Sequence, residues 1–85
     1  MTGPTPAQQA LATDLIDLGF STIGGRVLEG RISVAQALKH VRREQGVKQR
    51  VLGRSRSEGT LEMRERLATW CEKASFVLDH WEAQS

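Results

Sequence analysis

The chain has 85 residues, of which 39% are hydrophobic and 26% charged, with a formal net charge of +2. That is ordinary globular composition, enough for one domain with a small core, and it excludes disorder and a membrane span. A single cysteine excludes an internal disulfide and a cysteine-based metal cluster, and two prolines with no tyrosine favour helices over sheet.

The charge is unevenly placed. Residues 1–25 carry Asp14 and Asp17 without a Lys or Arg, and residues 26–56 carry nine basic side chains against Glu29 and Glu44. Residues 57–85 are acidic again, with Arg64, Arg66 and Lys73 against six carboxylates. Concentration of positive charge in the middle third points to a polyanionic partner more strongly than the net charge does. The opening Met1-Thr-Gly-Pro-Thr-Pro6 has no charged-then-apolar leader pattern, so a cytoplasmic protein is expected.

In chain order, Thr5-Pro6-Ala7-Gln8 starts the first helix with a capping box and a proline at the first helical position. Leu11, Ala12, Leu15 and Leu18 form its apolar stripe, and Gly19 supplies a left-handed stop. Ser21 is positioned to cap a short helix carrying Ile23, Val27 and Leu28. The Gly24-Gly25 pair costs that helix about 2 kcal/mol of propensity and leaves an ordered loop as the alternative. Ser33-Val34-Ala35-Gln36 is a second capping box, and Gly46 is read as a second glycine stop. Between them Val34, Ala37, Leu38 and Val41 share one face, while Gln36, Lys39, His40 and Arg43 share the other, with Arg42 beside them. A further short helix is expected around Lys48–Gly53, then a loop of linker composition, Arg54-Ser-Arg-Ser-Glu-Gly59. From Thr60 to Ala83 neither Gly nor Pro occurs. Met63, Leu67, Trp70, Ala74, Val77 and Trp81 repeat there at alternating spacings of four and three, a heptad seam that Cys71 and Leu78 widen. The seam is expected to pack on helix 1 or to form a homodimer interface.

Little supports catalysis. Neither GxGxxG nor GxxxxGK is matched, and there is no paired-carboxylate or nucleophile–base constellation. His40 and His80 lack ligand spacing with Cys71, so no metal or other cofactor is expected. Cys71 reads as a small buried apolar residue, and Phe76, off the seam, as a possible partner contact if exposed. Duplex DNA is the expected partner of the basic segment, because Lys and Arg release condensed counterions from phosphate. Gln36, Lys39, His40 and Arg43 suit a helix lying in the major groove, with Gln36, Lys39 and Arg43 as base readers, and Lys39, Arg42, Arg43, Lys48 and Arg50 suit the backbone. Arg54 and Arg56 suit a phosphate-contacting loop.

Leu38–Gly53 resembles the opening of helix-turn-helix repressors of the phage Cro/cI (Xre-like) type: an Arg-rich helix ending at Gly46, then Gln49, Leu52 and Gly53 in the second helix. This alignment implies a turn at Ser57–Gly59 and a recognition helix after it, where Glu58, Glu62 and Glu65 fall. In a second alignment Ser21–Glu29 is the positioning helix, Gly30–Ser33 the turn, and Ser33–Gln45 the recognition helix, with Arg31 where a turn glycine is usual. The second has the charge that DNA requires. The resemblance implies a DNA-binding transcriptional regulator, a repressor, acting as a homodimer.

The expectation is therefore a single all-α domain over residues 1–85. It would be a small bundle of four to five helices with a helix-turn-helix-like centre (residues 5–57, DNA-binding) and a long C-terminal helix (residues 60–83, dimerisation). The competing class is a protein–protein adaptor or inhibitor that presents a basic face and anchors through Trp70 and Trp81.

Overall fold

A computed structural model describes residues 3–54 and 61–84. Among these, the secondary structure is four helices: α1 (Pro6–Asp17), α2 (Ser21–Leu28), α3 (Val34–Arg54) and α4 (Leu61–Glu82). None is long and apolar enough to cross a membrane. The chain divides into two compact units, residues 1–40 and 41–85, with the division inside α3.

The first unit is built by local stop and start signals. Thr5 and Gln8 close the expected capping box: the Thr5 N–H donates to Gln8 Oε1 at 2.7 Å, and the Gln8 N–H donates to Thr5 Oγ1 at 3.1 Å. α1 ends at Gly19, whose φ of +92° only a glycine adopts without strain. The Gly19 N–H reaches Ile16 O and the Phe20 N–H reaches Leu15 O, the paired bonds of a Schellman closure. α2 ends the same way at Gly30, φ +73°, with the Gly30 and Arg31 N–H groups bonded to Val27 O and Arg26 O. The region left open between helix and loop is thus helical. Its cap differs from expectation: Phe20 occupies the N-cap position without a side-chain bond, and Ser21 is already helical. The Phe20 carbonyl already accepts the Gly24 N–H at 2.8 Å, so the α2 ladder begins one residue before Ser21.

Gly24 earns its place by proximity. A Cβ there would stand 3.1 Å from Ile16 Cγ1 and 3.2 Å from the Ala12 carbonyl oxygen, so an alanine would have to push α1 back by a few tenths of an ångström. Gly25 faces open space. Leu11, Ala12, Leu15, Leu18 and Val27 are buried, as are Ala37 and Leu38 at the start of α3. The Ser33 capping box forms as expected, with Ser33 N–H to Gln36 Oε1 at 2.9 Å and Gln36 N–H to Ser33 Oγ at 3.1 Å.

Gly46 does not stop α3. The helix runs through it and through Gly53 to Arg54, so the separate helix around Lys48–Gly53 is the continuation of α3. A helical glycine costs about 1 kcal/mol relative to alanine. Here α4 holds the helix on both sides of Gly46. Gln45 Nε2 donates to Cys71 O at 2.9 Å and to Ser75 Oγ at 2.8 Å, and Arg64 Nη2 donates to Leu52 O at 3.0 Å. With Arg42 bonded to Glu82, the partners descend along α4 as residue number rises along α3. Residues 41–54 and α4 are therefore an antiparallel hairpin. Its buried residues are Val41, Cys71, Ala74, Leu78 and Trp81. The spacing on α4 is helical, but the buried stripe is turned from the expected seam toward Cys71 and Leu78.

Unbroken passage through Gly46 removes the first helix-turn-helix alignment, which requires a turn inside Leu38–Gly53; its proposed turn at Ser57–Gly59 lies outside the described residues. In the second alignment, α2 (Ser21–Leu28) precedes the Gly30–Ser33 segment, but α3 continues to Arg54, past the expected end of a recognition helix at Gln45.

Candidate nucleic-acid interface

α3 presents the basic residues in three states. Gln36 is exposed, but its amide oxygen holds the Ser33 N–H, so the side chain that was to read a base edge closes the helix cap instead. Lys39 and His40, ending the first unit, are exposed on α3.

In the second unit, Arg43 and Arg50 of α3 are exposed and without an ion pair among the described residues. They stand seven residues apart, about 10 Å along the helix at 1.5 Å per residue. Lys39 lies one turn earlier at the same helical phase. Val47, 47% exposed, lies between the two arginines.

The remaining cations are occupied. Arg42 is paired with Glu82. Lys48 Nζ is 2.7 Å from Glu44 Oε1 and 4.4 Å from the centre of the Trp70 ring, a cation–π contact within the hairpin. The side chain of Arg54 and the whole of Arg56 lie outside the described residues. The Glu44–Lys48 pair was readable as an i,i+4 match in the sequence, whereas Glu82, forty residues from Arg42, gave no local signal.

Cys71 is buried in the hairpin, and burial pushes its thiol pKa above the ordinary value, against the opposing pull of the Lys48 ammonium. Among the described residues no group of three or more His, Cys, Asp or Glu is placed to hold a metal ion.

The residues expected to form a dimer seam divide along α4. Ala74 and Trp81 are buried within the single chain, at 0% and 5% exposure, so they are not available to a partner. Leu67, Trp70 and Val77 are half-buried, and Met63 is exposed. The two indoles are thus neither exposed together nor left for a second copy to cover.

Searches against protein families, curated proteins and solved structures found no match to this chain.

Proposed function

We propose that the protein is a small DNA-binding regulator, a repressor without enzymatic activity, which grips duplex DNA through the outward stripe of α3. The observation that carries this reading is the exposure of Lys39, Arg43 and Arg50 at one helical phase, without carboxylate partners among the described residues. An α-helix fits the major groove of B-DNA, and arginine at such positions either bonds guanine bidentately or neutralises phosphate. The succession of α2, the Glu29–Ser33 segment and α3 supports a helix-turn-helix use of that stripe. Arg42 and Lys48 act as hairpin residues in this reading, and Gln36 as a cap. A homodimer would present two such stripes.

The test is a gel shift at low salt with the purified chain and mixed-sequence duplex, beside selection of binding sites from fragmented genomic DNA. Retention of duplex that Lys39→Ala with Arg43→Ala and Arg50→Ala abolishes supports the proposal. No retention of any duplex, or retention that the triple variant leaves intact, refutes it.

A further inference from the structure

One row on each outer face of the hairpin carries the same spacing with opposite charge, the α4 row being bordered by Lys73 and His80. On α3, Arg43, Val47 and Arg50 stand at i, i+4 and i+7; on α4, Glu72, Phe76 and Asp79 stand at the same three spacings. All six are exposed, Val47 at 47% and Phe76 at 79%. The four charged residues have no ion pair among the described residues. Residues at i, i+4 and i+7 share one face of a helix, so each triple is an apolar side chain between two like charges about 10 Å apart.

These faces do not meet within one copy, because α3 addresses α4 through Arg42, Gln45, Lys48 and Leu52. We infer that they meet between copies: the chain associates head to tail, with the outer face of α4 laid on the outer face of α3 of the next molecule. Run in the same direction, the triples match residue for residue. Arg43 meets Glu72, Val47 meets Phe76, and Arg50 meets Asp79. The occupant is a second copy because both halves of the match, in sign and in pitch, are written on the same chain. A polyanion fits only the α3 half. Phe76 gains twice, by covering its ring with Val47 and by lying between two guanidinium groups.

The contact uses two different patches, so it is heterologous: each copy keeps one free face of each kind, and the assembly closes as a ring or extends as a chain. It goes beyond the DNA-binding reading and bears on its regulation, since Arg43 and Arg50 serve either the duplex or the neighbouring copy.

Charge reversal tests it with the full-length chain. Sedimentation velocity at about 50 mM salt should show a mass that rises with concentration, and at about 500 mM salt, where screening is short-ranged, the rise should vanish. Arg43→Glu with Arg50→Glu, and separately Glu72→Lys with Asp79→Lys, should each weaken association about tenfold or more. An equimolar mixture of the two double variants should recover association, because the unaltered faces match across the two variants and so do the reversed ones. A monomer at both salts, self-association that neither double variant affects (as pairing through Met63 and Leu67 would give), or failure of folded variants to pair on mixing overturns the inference. Glu72→Lys with Asp79→Lys leaves α3 untouched, so its duplex binding separates the two readings. If it binds DNA without self-associating, both stand; if wild type self-associates but binds no duplex, only the DNA reading falls.

Discussion

Replacing Arg43 and Arg50 together by alanine should flatten the salt dependence of duplex binding. Each phosphate neutralised on B-DNA contributes about 0.9 to the slope of log K against log salt. The α3 stripe offers Lys39, Arg43 and Arg50, so it accounts for a slope of about −2.7, and raising salt from about 50 to 200 mM weakens its share of binding about 40-fold. With only Lys39 left, the share falls to a slope of about −0.9 and a loss of about 3.5-fold over the same range. Arg42→Ala and Lys48→Met should leave the slope unchanged, because those cations are held by Glu82 and by Glu44 with Trp70. Fluorescence anisotropy of a labelled duplex at four or more salt concentrations reads all of these slopes. Equal slopes for wild type and the Arg43/Arg50 double variant would refute the assignment, as would Arg42→Ala or Lys48→Met flattening it by as much.

Three further outcomes probe the fold that presents the stripe. Gly25→Ala should raise the melting temperature by several degrees, since it removes about 1 kcal/mol of propensity penalty and faces open space, whereas Gly24→Ala should lower it. The half-exposed Ile16 side chain is able to yield to a Cβ at Gly24 but the Ala12 carbonyl is not, and overpacking of this kind costs about 1–3 kcal/mol; two variants of equal stability would sink the close-approach argument. Gln45→Ala removes both bonds to α4 and should destabilise the chain by about 1–2 kcal/mol in urea unfolding, while Arg43→Ala changes stability little. For Cys71, the raised thiol pKa means that the folded chain stays protonated after the unfolded chain begins to ionise near about pH 8.5. Its effect on stability is therefore constant below that pH, and stability is lost as pH climbs from there toward the folded value. Melting curves for wild type and Cys71→Ala should run parallel up to about pH 8 and diverge above it, with wild type falling faster; curves parallel to pH 10 would contradict the burial.

Local chemistry was enough for both ends of α1 and the start of α3, though it left α2 open between helix and loop. The capping boxes at Thr5 and Ser33 involve residues three apart, and Gly19 stops a helix with bonds to the turn before it, so a reader of the sequence meets every participant together. The all-α class and the long C-terminal helix follow from the same kind of information, namely periodicity and an absence of breakers. The cationic phase of α3 was also visible, because 3.6-residue spacing alone places Lys39 and Arg43 on one face.

Gly46 shows where that reach ends. As a residue it is as good a stop as Gly19, yet the helix runs through it to Arg54, with hydrogen bonds to α4 on either side. The same long-range pairing decided which cations are available: Glu82 reaches Arg42 from the far end of the chain, and Trp70 receives Lys48 across the hairpin. It also turned the buried stripe of α4 toward Cys71 and Leu78, taking Ala74 and Trp81 into the chain's own packing and leaving Phe76 outside. Helix ends and faces are set by bonds between near neighbours. Which helices fuse, which charges are spent and which apolar residues stay exposed depend on contacts between residues that only folding brings together.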